Sequence, residues 1–176
     1  VVLFFLRFCA ALFVQVLFKQ LKGINTGWFV LLVPTVLFIF YIGFVGLTMD
    51  GGHAQSELQW IPSLGISFVS YIDGLSLIFS LLITGIGALV VLYSIFYLDK
   101  DKEKLNNFYV YLLLFMSAML GVVQSDNVIS LYLFWELTSV SSFLLIGYWN
   151  TRDRSRFGAL NSLFTTVFGG LMMRGG

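Results

Sequence analysis

This chain of 176 residues is 59% hydrophobic and 18% aromatic but only 11% charged, with a mean hydropathy of +0.92. No ordinary water-soluble domain has that composition. The formal net charge of +1 says nothing about partners, and the single cysteine, Cys9, excludes disulfides, iron–sulfur clusters and zinc thiolate sites within the chain.

Taken in chain order, six apolar segments stand out, at 1–18, 28–49, 74–98, 106–124, 128–149 and 157–176. Each has about the length needed to cross the hydrocarbon core, for which ~20 helical residues suffice. Lipid-exposed backbone must satisfy its own hydrogen bonds, which leaves helices or closed barrels, and barrel strands are shorter and alternating. The first segment differs from a signal peptide because Phe and Leu dominate it, Arg7 interrupts it and no small-residue cleavage site follows. The expected fold is an all-α polytopic membrane protein of about six transmembrane helices, forming a single membrane domain over residues 1–176.

Charge placement sets the expected orientation. The first loop carries Lys19 and Lys22, the third Lys100, Lys102 and Lys104, and the fifth Arg152, Arg154 and Arg156, whereas the second and fourth carry no basic residue. Positive residues are retained on the cytoplasmic side, so the odd-numbered loops are expected inside and the N-terminus outside. Only Arg7 and Arg174 fall within apolar segments.

The second loop, residues 50–73, is the one long connection. Gly51, Gly52 and Pro62 punctuate it, and Leu58 and Trp60, then Ile66, Phe68, Ser70 and Ile72, alternate loosely. That pattern suggests a small β-hairpin on the outer face, with an interfacial coil anchored by Trp60 and Tyr71 equally permitted. His53, the only histidine, lies in this loop and reads as a solvated residue rather than a ligand. Gly85 and Gly87 resemble the start of a dinucleotide fingerprint, but the third glycine and the preceding strand are missing, so close helix packing is the better reading. No metal site, cofactor site, catalytic group or nucleic-acid interface is expected.

Glu136 is the informative exception, within Leu131-Tyr-Leu-Phe-Trp-Glu-Leu-Thr-Ser-Val-Ser-Ser-Phe-Leu-Leu-Ile-Gly147, a stretch otherwise without charge. On a helix it lies ~12 Å from Val128 and ~20 Å from Trp149, too deep for a short side chain to reach water. An acidic residue at the centre of a span costs roughly 2.5–3.5 kcal/mol and persists mainly where it pairs, hydrates or exchanges protons. Burial favours the neutral acid and a nearby cation the carboxylate, so a group balanced between them can load and release a proton. Fixing helix packing through an interhelical hydrogen bond is the competing role. Thr138, Ser139, Ser141 and Ser142 follow directly and can either allow close helix approach or line a hydrated path. No convincing cationic partner for Glu136 is present in the chain.

The stretch from Phe134 to Trp149, preceded by Asn107–Met116 and Gly121–Asn127, resembles the A subunit of Mrp-type cation/proton antiporters. That family is similar in turn to the antiporter-like subunits of respiratory complex I. Thr26-Gly-Trp-Phe29, Phe44–Pro62 and Asp73-Gly-Leu-Ser76 extend the resemblance to nearly the whole chain. It implies part of a secondary Na+/H+ antiporter subunit in a bacterial plasma membrane, joined with other subunits in a hetero-oligomeric complex. It also implies that Glu136 is the ion-translocating residue and works with a lysine on a seventh helix. The chain stops within the sixth segment, so that lysine, the remaining helices and the exit half-channel are expected elsewhere. Arg174 departs from the family's apolar pattern. A proton-translocating subunit of NADH:quinone oxidoreductase is the nearest alternative, and a truncated, non-transporting assembly protein is a third.

Overall fold

Hydrocarbon offers no hydrogen-bond partner to a peptide group, and the long apolar segments accordingly satisfy their backbone internally as helices. The computed structural model describes residues 26–61, 66–97, 105–148 and 153–175. In chain order the elements are α1 (Thr26–Ile42), α2 (Val45–Met49), β1 (Ala54–Ile61), β2 (Ile66–Ile72), α3 (Gly74–Tyr97), α4 (Leu105–Gln124), α5 (Val128–Ile146) and α6 (Asp153–Gly175). The expected first helix, the lysine-bearing first and third loops and Arg152 lie outside the described residues.

Four spans among these residues, Gly27–Met49, Gly74–Tyr97, Asn107–Gln124 and Val128–Ile146, are long and apolar enough to cross a membrane. The expected second helix is two helices, because Gly43 and Phe44 turn back onto the carbonyls of Ile39, Phe40 and Tyr41 and separate α1 from the short α2. The sixth helix begins at Asp153, earlier than its apolar run.

The helices pack serially, α1 against α3, α3 against α4, α4 against α5 and α5 against α6. The exterior departs from the water-soluble rule. Leu32, Ile39, Leu75, Ile78, Leu89 and Phe96 are exposed, while Ser76, Ser80, Thr84 and Ser94 are buried. On α3 the buried positions Leu77, Ser80, Thr84, Gly87, Val91 and Ser94 follow an alternating spacing of three and four, so small side chains form one inward seam. Gly87 lies against Met116 of α4 and Gly85 against Phe38 of α1, so this pair serves helix packing as expected. Two apolar clusters fill the interior: Val30, Val91, Tyr109, Leu112, Leu113 and Met116, and Leu37, Tyr41, Ile72, Leu77 and Leu120.

The second loop is the β-hairpin. β1 and β2 pair antiparallel in register from Ala54 opposite Ile72, with an irregularity between Gln59 and Ile61. On its other side β2 bridges through Ser70 to Ser125, and Asp126 N–H donates to the Val69 carbonyl, so the second and fourth loops meet at one end of the helices. His53 is exposed in this loop and lies beside the Tyr71 ring, with ring centroids 5.1 Å apart, as a solvated loop residue can.

Both ends of the hairpin connection are capped. Gly52 N–H donates to the Leu47 carbonyl and Gly51 N–H to that of Thr48, with Gly51 left-handed at φ 75°, closing α2 in a Schellman motif. Gly51→Ala is expected to destabilise by roughly 1–2 kcal/mol, the cost of placing an L side chain in that conformation. Thermal unfolding in detergent measures it. At the start of α3, Ser76 N–H donates to Asp73 Oδ1 and Asp73 N–H to Ser76 Oγ, each at 2.8 Å, a reciprocal capping box. The bond from Ser76 N–H is the main cause holding the Asp73 carboxyl below the ordinary carboxylate range. A group depressed on folding contributes stability above its unfolded pKa and loses it as pH falls through the folded value. Asp73→Ala is therefore expected to cost about 1 kcal/mol near neutral pH and progressively less under strong acid, as unfolding measured across pH would show.

Candidate functional site

Two sets of interior polar groups stand out. The first was not anticipated from sequence and centres on Gln124, the last residue of α4, which is only 2% exposed. Its Nε2 donates to Tyr41 OH and to Ser80 Oγ, both at 2.8 Å, and its Oε1 accepts from Ser70 Oγ at 3.1 Å. One amide thus joins α1, α3, α4 and the hairpin. A buried amide with both its donors used and its carbonyl engaged holds a single orientation.

The second set contains Glu136. Asn127 caps α5 by accepting from Ile129 N–H at 2.8 Å, and the helix then carries Glu136 to the middle of the span. The side chain as a whole is half-buried, yet its Oε1 is buried and makes no hydrogen bond among the described residues. The same holds for the Nε1 of the adjacent Trp135 and for Ser130 Oγ. Glu136 faces α6 at Gly170, where a side-chain carbon would stand 2.8 Å from Glu136 Oε1 and 3.5 Å from Trp135 Nε1. The absent side chain lets the backbone of α6 approach the carboxylate. Gly170 was missed in the sequence, where a glycine in an apolar helix reads only as generic packing.

Three of the hydroxyl residues after Glu136, Thr138, Ser139 and Ser141, are turned back on their own helix. Thr138 Oγ1 donates to the Trp135 carbonyl at 2.6 Å and Ser139 Oγ to the same carbonyl at 3.1 Å, while Ser141 Oγ donates to that of Leu137 at 2.8 Å. Ser139 and Ser141 are buried, which favours their packing role. Among the described residues no group of His, Cys, Asp and Glu is placed to hold a metal ion. The side chain of Arg174 lies outside what the structure describes.

Long apolar helices with an apolar exterior, small hydroxyl residues buried between them and a carboxylate oxygen buried mid-span define a multi-pass membrane protein with an intramembrane acid. The particular kinship comes from comparison. Residues 59–109 match the family model described as NADH-ubiquinone oxidoreductase (complex I), chain 5 N-terminus, and residues 125–175 match NADH:quinone oxidoreductase/Mrp antiporter, TM. The chain is 59% identical to the A subunit of the Na(+)/H(+) antiporter of Alkalihalophilus pseudofirmus over 96% of its own length and 21% of the relative's. It is 58% identical to the A1 subunit of the Na(+)/H(+) antiporter of Staphylococcus haemolyticus over 94% of its length and 20% of the relative's. The resemblance to the A subunit of cation/proton antiporters is thus borne out along nearly the whole chain, and that to the antiporter-like subunits of complex I over residues 59–109 and 125–175. The chain spans about a fifth of the length of these relatives.

Among solved structures, the Mrp complex from Dietzia sp. DQ12-45-1b superposes with a TM-score of 0.79 at 27% identity, covering 96% of this chain and 18% of that one. The membrane-bound sulfane sulfur reductase, an archaeal respiratory membrane complex, shares the fold with a TM-score of 0.75 at 17% identity, covering 95% of this chain and 26% of that one.

Proposed function

We propose that this chain forms the N-terminal part of a secondary Na+/H+ antiporter subunit, in which Glu136 carries the translocated proton. The observation that carries the reading is the buried Glu136 Oε1, facing α6 in mid-span without a hydrogen bond among the described residues. A carboxylate fixed there for packing would spend its oxygens on neighbouring donors; one that exchanges protons must keep an oxygen available. Glu136 alternately binds a proton and pairs with a lysine supplied from outside these residues. The protein is a transporter subunit rather than an enzyme and works within a hetero-oligomeric complex of a bacterial plasma membrane. The second and fourth loops meet at one end of the helices and carry no basic residue, which supports a topology with the hairpin and the N-terminus outside.

A proton-translocating subunit of a redox-driven complex is the second reading, favoured by the complex I description of the model matching residues 59–109. A strain lacking the complete subunit separates the two. Antiport predicts sodium-sensitive growth at alkaline pH with NADH-driven proton pumping intact; the opposite pattern would favour the redox complex.

A further inference from the structure

We infer that Arg174 is a positioning residue for Glu136, a cation that this chain brings to the carboxylate itself, one helical turn beyond the point where α6 meets α5. The pairing holds whether or not Glu136 carries the translocated proton, and it adds a resident cation to that reading.

Across the apolar segments 128–149 and 157–176, Glu136 and Arg174 are the only charged residues, one of each sign on neighbouring helices. Contacts at two glycines set the register of those helices. Gly147 lies against Ala159 and Gly170 against Glu136, so a step back along α5 from the first contact to the second matches an equal step forward along α6. The two helices therefore run antiparallel. α6 continues as a helix through Arg174, and helical residues four apart share a face, with Cβ positions about 5–6 Å apart. The Cβ position of residue 170 is 2.8 Å from Glu136 Oε1. Arg174 thus stands on the face of α6 that meets the carboxylate, ~6 Å further toward the start of α5. Every Cα–Cβ bond of a helix tilts toward the helix N-terminus, which at position 174 is the direction of Gly170 and Glu136.

A single charge in hydrocarbon is costly, and intramembrane ionisable residues pair with one another for that reason. A cation and an acid one turn apart offset both costs together. Glu136 Oε1 is buried and receives no donor among the described residues, so nothing described there competes with Arg174 for it. Arginine keeps its protons at any working pH, so it can hold the carboxylate without supplying the proton exchanged there. Uptake of a proton by Glu136 cancels the attraction, and the lysine of the proposed function becomes a second cation for the same carboxylate.

The rival is an arginine that reaches the membrane surface beyond the start of α5 and takes no part in the site. Arg174→Met, which keeps length and removes the charge, is introduced into the complete subunit in its native complex, alone and together with Glu136→Gln. The half-life of the complex in detergent is then measured at one elevated temperature. Pairing predicts that Arg174→Met alone shortens the half-life about tenfold, the scale of coupling between contacting residues, and changes it little when Glu136→Gln is also present. Arg174→Lys, which retains the charge, is expected to keep most of the native half-life. An effect of Arg174→Met that is the same with and without Glu136→Gln, or a loss as large with lysine as with methionine, would overturn the pair. Should Arg174→Met alone abolish assembly, recovery on adding Glu136→Gln would report the pair, and no recovery would overturn it. Failure of the proposed function looks different: Glu136→Gln alone would then exchange protons normally in everted vesicles, whatever the half-lives show.

Discussion

Replacing Glu136 with glutamine is expected to abolish cation/proton exchange while leaving the complex assembled. Glutamine has nearly the same shape and cannot release a proton, so it removes the exchangeable group with little change in volume. Assembly should survive because Glu136 Oε1 makes no hydrogen bond among the described residues that glutamine would forfeit, and Gly170 leaves the backbone of α6 close but unobstructed. A positioned proton-transfer group contributes on the order of a hundredfold or more, so exchange should fall to background. Vesicles with a normal complement of subunits report both halves. Lost assembly would instead assign Glu136 to packing.

The second large effect is expected at Gln124, through stability rather than transport chemistry. Gln124→Leu keeps the bulk and removes three hydrogen bonds, to Tyr41, Ser80 and Ser70. Interhelical bonds in membranes contribute about 0.6 kcal/mol on average, and buried bonds in soluble proteins about 1 kcal/mol. The loss should therefore total roughly 2–3 kcal/mol, somewhat more because buried polar atoms lose partners on three other elements. Hydrogen exchange of the β2 amides gives the most specific reading, because Ser70 is the strand's side-chain tie to α4. Faster exchange over Val69–Ile72 with the amides of α5 unchanged is the expected pattern. Unaltered exchange in β2 would remove Gln124 as the link between hairpin and helices.

The features legible in the sequence are those that one segment determines by itself. The starts of α3, α4 and α5 fall within a residue of the expected ones because the hydrocarbon thickness and the polar gaps set them. The hairpin was visible as an alternation, whereas the capping box of Asp73 and Ser76 was recognised only once the start of α3 was placed. Glu136 was conspicuous as one charge in a long apolar run. The break at Gly43 was not, because a glycine among apolar residues reads equally as packing. The Gln124 network was illegible for a different reason: its partners are 83, 44 and 54 residues away, and such pairings arise only once the helices are placed. Gly170 is the same case, since nothing local says that its missing side chain faces a carboxylate one helix earlier.

The seam on α3 lies between these extremes. Its spacing of threes and fours could be read from the chain, and the small size of its residues points to close packing. Which neighbour fills it, α4 through Met116 at Gly87, emerges only from the assembled helices.

Sodium-driven proton movement by the complete complex, in everted vesicles with a pH gradient imposed without NADH, tests the central claim most directly. Adding sodium should collapse the gradient in vesicles carrying the native complex and leave it intact in those carrying Glu136→Gln. A collapse that persists in the Glu136→Gln vesicles, or a native complex that moves protons only when NADH is oxidised, would contradict it.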